Sequence, residues 1–243
     1  MPLQAIEAQR LYQQVARQIS ELIRGGEVPH GERLPSERDL ARQLGVSRPV
    51  VREAVIALEL AGLVEVRTGS GIYARAPDRA RPLVLDDIGP SPFEVIAARR
   101  VIEPEIAGAA AAARSDADLG AIGDALDAMR EALRRRQDLR PSDRLFHTRV
   151  AAATGNTVLA ALVDELWEQA LKPISATLHP RTGLPGNEPA ALAEHAAILD
   201  ALRARDSEGA REAMRAHLAR VEDIMLAGDA ATEAVARSAA GAR

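Results

Sequence analysis

From Pro92 to about residue 227 the apolar side chains recur every three to four residues, the period of an amphipathic helix. Almost none of them is aromatic: Phe, Trp and Tyr make up 2% of the chain. A core built without them has to be mostly Ala, Leu, Val and Ile, a composition that suits helices, because small side chains let helix axes approach closely. Six helices are expected, at about 92–113, 116–138, 141–154, 157–178, 189–204 and 207–227, with a short extra one at 82–88. The breaks fall at Ser115-Asp116, Arg140-Pro141-Ser142, Gly155-Asn156, the loop Pro180 to Pro189, and Asp206-Ser207; Ser142 and Ser207 can serve as caps. These helices form an all-α bundle over 92–229, and the Ala-rich tail 230–243, with few large apolar residues, is expected to fray.

Residues 1–75 read differently. Leu11, Val15, Ile19, Leu22 and Ile23 line one helical face, which Gly25-Gly26 stops. Ser36 can cap a short second helix whose Leu40 and Leu44 face inward, and Gly45 breaks it. Ser47 can cap a third helix running through Leu60, with Pro49 tolerated in its first turn and Val51, Val55 and Leu58 on its buried face. Leu63 to Arg67 alternates as a strand, Thr68-Gly69-Ser70-Gly71 turns the chain, and Ile72-Tyr73-Ala74 returns. Helix, helix–turn–helix and hairpin in that order describe a winged helix–turn–helix. The Pro- and charge-rich stretch from Ala76 begins a linker over 76–91. The expected fold class is therefore mostly α: an N-terminal winged helix–turn–helix followed by an all-α helical bundle.

Composition narrows the functions further. With no cysteine, disulfide frameworks, zinc–thiolate sites and thiol catalysis are excluded. No apolar run approaches the roughly 18 residues of a membrane span, and the first residues lack the basic-then-apolar order of a signal peptide, so a cytoplasmic protein is expected. Charge does not name a partner: residues 1–78 hold ten Arg against ten Asp and Glu, and the remainder holds 25 acids against 21 bases. Any nucleic-acid reading must rest on where the charges lie. In a winged helix–turn–helix the third helix enters the major groove. Arg48 and Arg52, four apart, share one face near its start and can reach guanine edges and phosphates, while Arg38 could contact phosphate or a base. Gly69 at the wing tip lets backbone approach DNA closely. The alternative is that these arginines form surface ion pairs with Glu37, Asp39 and Glu53.

The stretch Gly31 to Arg48 (GERLPSERDLARQLGVSR), then Val51-Arg52-Glu53-Ala54, Leu58-Glu59, Gly62-Leu63-Val64 and Gly69-Ser70-Gly71, resembles the GntR family of bacterial transcription regulators over residues 11–75. The resemblance implies DNA binding through Arg38, Arg48 and Arg52, with added contacts from Ser36, Ser47, Thr68 and Gly69.

Three of the five histidines, His147, His195 and His217, sit at helix positions beside apolar neighbours. Asp143 precedes His147 by four and shares its helix face. An Asp-x3-His pair with one His from each of two other helices can hold a divalent cation inside a bundle and leave positions open for water or a ligand. Ordinary half-buried histidines are the alternative; His30 and His179 lie in loops. Arg99-Arg100-Val-Ile-Glu103-Pro104, Asp143 to His147, Gly155-Asn156, Glu194-His195 and Met214 to Leu218 look like the FCD domain, the effector domain of the FadR subfamily, over about residues 92–225. This resemblance implies that Asp143, His147, His195 and His217 bind a metal, zinc foremost with nickel or manganese as alternatives, beside a cavity for a small organic acid.

Arg99, in a largely apolar stretch, needs an anionic partner. A bound carboxylate or Glu103, four residues on, would each serve. Asn156 could donate to the same ligand or cap a helix, and Trp167 belongs to the core or to the cavity wall. Together these readings describe a homodimeric, metal-binding, ligand-responsive regulator, a repressor by expectation, on a short inverted-repeat operator with no role at a membrane. The rivals are a constitutive DNA-binding protein with a structural metal and a metal-dependent enzyme.

Overall fold

The computed structural model describes residues 10–67, 70–76, 88–178 and 187–240. They divide into two compact units, the first reaching Ser91 and the second spanning Pro92–Gly228.

In the first unit, α1 (Leu11–Gly25) buries Tyr12, Val15, Ala16, Ile19 and Ile23 at helical spacing. It ends at Gly26, whose φ of 81° is the left-handed conformation that glycine adopts without a Cβ penalty. Helix α2 (Glu37–Leu44) starts where the Ser36 hydroxyl oxygen accepts the Asp39 N–H. Helix α3 (Arg48–Leu60) carries Pro49 in its first turn and packs against both α1 and α2 through Val51, Ala54, Val55 and Leu58. Strands β1 (Val64–Arg67) and β2 (Gly71–Ala74) pair antiparallel, Val64 opposite Ala74 and Arg67 opposite Gly71, and Arg33 adds a bridge to Tyr73. This is the expected winged helix–turn–helix. The wing-tip residues Thr68 and Gly69 lie outside the described residues, as do 82–87 of the expected short helix. Where description resumes, the chain is fastened to this unit: Tyr12 Oη donates to the Gly89 carbonyl at 2.8 Å, Arg10 does so at 2.9 Å, and the Ser91 hydroxyl donates to Glu53 of α3.

The second unit is helical: α4 (Pro92–Ala113), α5 (Asp116–Arg134), α6 (Arg140–Ala152), α7 (Thr157–Ala170), α8 (Pro173–Leu178), α9 (Glu188–Arg203) and the part of α10 (Ser207–Ala240) up to Gly228. Helix α4 packs on α6, α7 and α9, and α5 on α6 and α9. The core is the aliphatic one that the composition demands, with Ala107, Ala110 and Ala111 on α4, Ile122, Ala125 and Leu126 on α5, and Ile198, Leu199 and Leu202 on α9. Phe146 is its one fully buried phenyl ring among the described residues.

Several boundaries differ from expectation, each for a local reason. The single helix expected at 157–178 is two, because Pro173 has no N–H to continue the ladder and its ring crowds the preceding turn. Ser142 is no cap: α6 begins at Arg140, and the Ser142 hydroxyl donates back to the Leu139 carbonyl at 2.9 Å. Asp206, not Ser207, accepts the Gly209 N–H at the start of α10. Helix α5 stops at Arg134, short of 138, and α10 is continuous to Ala240. Among the described residues no helix is long and apolar enough to cross a membrane.

Candidate metal centre

On the first unit, Arg38 and Ser47 are exposed, and Ser36 is committed to its cap, donating to the Asp39 carboxylate at 2.7 Å while accepting the Asp39 N–H. Arg48 is half-buried at the start of α3. Arg52 is 7% exposed, its Nε lies 3.6 Å from Glu37, one of the acids named as its alternative partner, and burial pushes its guanidinium below the usual arginine range.

In the second unit four side chains from three helices converge. Asp143 and His147, one turn apart on α6, meet His195 of α9 and His217 of α10, with one ligand atom of each within 4.8 Å of the others. Asp143 Oδ1 is 2.9 Å from His195 Nε2 and 3.3 Å from His147 Nε2, and the two Nε2 atoms are 3.3 Å apart. The His217 ring lies 4.4 Å from that of His195 and 5.4 Å from that of His147, centre to centre. All three imidazoles are buried.

Each histidine also has an outward partner for Nδ1. His147 Nδ1 is 2.5 Å from Glu103 Oε2, His195 Nδ1 is 2.7 Å from the Ala191 carbonyl, and His217 Nδ1 is 2.9 Å from Glu194 Oε2. A carbonyl accepts only, and so does an ionised carboxylate, so Nδ1 carries the proton and the Nε2 lone pairs face one another. Lone pairs held together inside a protein repel unless a cation lies between them. Metal–nitrogen bonds of about 2.0–2.1 Å, at angles between octahedral and tetrahedral, would separate two nitrogens by roughly 2.9–3.4 Å. The spacing and the donor set therefore fit a divalent metal.

The electrostatics agree at His217 but not at His147, where burial is outweighed by Glu103 and Asp143, which raise the imidazolium above its ordinary range. Burial pushes the His217 imidazolium well below its ordinary range, and the facing His195 and His147 push the same way, so the ring is a neutral donor. Burial alone would raise the Asp143 carboxyl, but the pull of the His147 and His195 rings outweighs it and holds the group well below the usual carboxylate range. Glu103 shows the same balance: burial opposes its charge, Arg99 and His147 prevail, and its pKa is lowered to about 2.

Asp143 and His217 line a cavity of about 470 Å3. Its wall is largely apolar, with Val95, Ile96, Leu171, Val221, Ile224 and Met225 among the lining residues. Arg99 lines it too; its Nε donates to Glu103 Oε1 at 2.6 Å, and its guanidinium lies 4.2 Å from the centre of the Trp167 ring. Both partners weighed for Arg99 are thus in reach: Glu103 holds one edge and the cavity adjoins the side chain. Asn156 does not line the cavity; its side-chain oxygen accepts the N–H groups of Val158 and Leu159 as the cap of α7. Glu103 and Glu194, as Nδ1 acceptors, escaped the sequence reading. Glu103 was visible only as a partner for Arg99, and Glu194 adjoins His195 in sequence yet serves His217.

The match to known proteins falls on both units. Residues 11–74 match the bacterial regulatory proteins of the gntR family, and residues 94–220 match the FCD domain. The chain belongs to the GntR family. This GntR protein is a DNA-binding transcription regulator with an FCD domain; the matched domains and relatives are regulators, not enzymes. It is 38% identical over 231 residues to the Exu regulon transcriptional regulator of Escherichia coli (strain K12), covering 92% of this chain and 87% of that one. The Uxu operon regulator of Haemophilus influenzae is 34% identical over 217 residues, 88% of this chain and 81% of that one. The HTH-type transcriptional repressor NanR of Cronobacter sakazakii is 31% identical over 221 residues, with 86% and 83% covered.

Proposed function

We propose that this GntR protein is a homodimeric cytoplasmic repressor whose affinity for a short inverted-repeat operator is set by a small organic acid bound beside a divalent metal, zinc foremost, with nickel or manganese as alternatives. The observation that carries the reading is the convergence of Asp143, His147, His195 and His217 at a cavity that Arg99 also lines. The relative named as a repressor supports repression.

A divalent metal held by these four side chains would supply an open Lewis-acidic position for a carboxylate oxygen. The protein's own groups do the rest. Glu103, the Ala191 carbonyl and Glu194 keep Nδ1 protonated and the three rings oriented. Arg99 has five N–H donors and spends Nε on Glu103, so its guanidinium can also pair with an acid in the cavity. Where the acid displaces water from the largely apolar wall, that pairing is strengthened. The acid changes operator binding only through unequal affinity for the two forms of the protein.

At the operator, Arg48 and Arg52 read guanines, Arg38 contacts phosphate or a base, and Ser36, Ser47 and the wing residues Thr68 and Gly69 add contacts. For Arg52 this means exchanging Glu37 for DNA. Arg52→Ala is expected to weaken binding to an operator selected from random sequence by about 1–3 kcal/mol and to relax preference at one base pair. Unchanged affinity and preference would remove Arg52 from the interface.

Native mass spectrometry of freshly purified protein, with elemental analysis, tests the whole reading. One metal per chain in a dimer, and an acid that alters operator binding in the wild type but not in Asp143→Ala, are expected. Metal that stays put while every acid leaves operator binding unchanged would make the centre structural. Failure to take up zinc would discard it.

A further inference from the structure

The stretch Gly31 to Arg48 holds an arginine to which the operator reading gives no task, Arg33. Residues 31–34 run along the outer edge of β2. The Leu34 N–H donates to the Ile72 carbonyl at 2.8 Å, the Ala74 N–H to the Glu32 carbonyl at 2.9 Å, and the Gly31 N–H to the Ala74 carbonyl at 2.9 Å. Successive side chains on such an edge point to opposite faces. Leu34 therefore enters the core, and Arg33 faces outward.

The guanidinium has a seat there. It lies over Gly71, the first residue of β2, where a Cβ would be 2.6 Å from Arg33 Nε and 3.2 Å from Cζ. Gly71 also has a φ of 125°, so the backbone and the neighbouring side chain both call for glycine. Other arginines of this unit are committed to acids. Arg67, opposite Gly71, pairs with Glu65 at 3.1 Å and lies 4.4 Å from the centre of the Tyr73 ring; Arg42 pairs with Asp39, and Arg52 lies against Glu37. Arg33 pairs with no acid among the described residues. Holding a long side chain in one place costs rotamer entropy, and an anion from outside would offset it.

The position says which anion. Arg33 stands three residues before the Ser36 cap of α2, and its guanidinium lies at the foot of the hairpin turn that the Ser70 N–H closes on the Arg67 carbonyl at 2.8 Å. It thus joins the helix–turn–helix to the wing, the two elements that meet the duplex while α3 enters the major groove. We infer that Arg33 contacts an operator phosphate, fixing the wing on the backbone without reading sequence. This rests on the operator reading of the Proposed function. The planar fork matches two phosphate oxygens, and such contacts set register and orientation but carry no base information. Each phosphate neutralised also releases condensed counterions, which gives the contact a signature in salt.

The test is fluorescence anisotropy of full-length protein on an operator selected from random sequence and on its single-base-pair variants, between about 50 and 200 mM salt. Wild type, Arg33→Ala, Arg33→Lys and Arg52→Ala are compared. Arg33→Ala is expected to reduce the slope of log affinity against log salt by about 0.9 per chain and to weaken binding roughly threefold to tenfold per chain, equally on every duplex. Arg33→Lys keeps the charge and should restore the slope. The melting temperature of free protein should not change, because the side chain is exposed. An unchanged slope in Arg33→Ala overturns the inference. So does a shift in base preference, which would make Arg33 a base reader, or a lost slope that Lys does not restore, which would trace the loss to a disturbed wing. Arg52→Ala separates the two readings: if it alters preference while Arg33→Ala is silent, only this inference falls, and if neither variant alters binding the operator reading falls with it.

Discussion

Glu103→Ala is expected to cost about 3–5 kcal/mol of folding stability in the second unit. The carboxylate is 2% exposed and joins Arg99 Nε at 2.6 Å to His147 Nδ1 at 2.5 Å. Deleting it leaves a guanidinium that is only 7% exposed without its nearest anion. For a chain of this size each kcal/mol moves the melting temperature by roughly 2–4 °C, so a fall of roughly 6–20 °C should appear in a thermal scan. Glu103→Gln, which keeps an acceptor but not the charge, should fall between. Metal affinity should drop by roughly 10–100-fold in both, because an imidazole that loses its outer acceptor is a poorer ligand. The pH dependence has a definite sign. Glu103 is held at about 2, below its ordinary value of 4.5, so its contribution is complete above the ordinary value and is lost as pH falls toward 2. A loss under 1 kcal/mol in Glu103→Ala would mean that Arg99 finds another anion.

The second large effect is metal removal. A ligand that binds only the folded form at about a thousand times its Kd stabilises it by about 4 kcal/mol. On the metal reading, a chelator should therefore lower the melting temperature by roughly 8–16 °C, and zinc should restore it. His217→Ala should melt near the chelated wild type and respond to neither reagent, since it removes a neutral donor from the middle of the set. A wild type whose unfolding ignores both chelator and zinc would leave the four side chains as a hydrogen-bonded cluster.

What could be read from the chain was what local rules encode. The helix period, the Ser36 cap and the one-turn spacing of Asp143 and His147 depend on neighbours within a few residues, and all three appear in the structure. The meeting of His195 and His217 with that pair depends on how α9 and α10 dock, which no spacing contains; family resemblance, not geometry, supplied it. The same holds for Glu103, which serves a histidine 44 residues away. For Arg52, helical spacing gives the face of the residue but not what packs over it; Glu37 of α2, one of the ion-pair partners the sequence offered, lies against it. Asn156 had two uses open to it, and the cap prevailed because the first N–H groups of α7 need acceptors.

The chain has one tryptophan, and it is the one at the cavity, over Arg99. Indole emission from the intact protein therefore originates at a single known address, beside the cation expected to meet the acid. A shift in its colour or lifetime would report events at that wall without a label and, because no other indole contributes, without the averaging that obscures such signals in most proteins of this size.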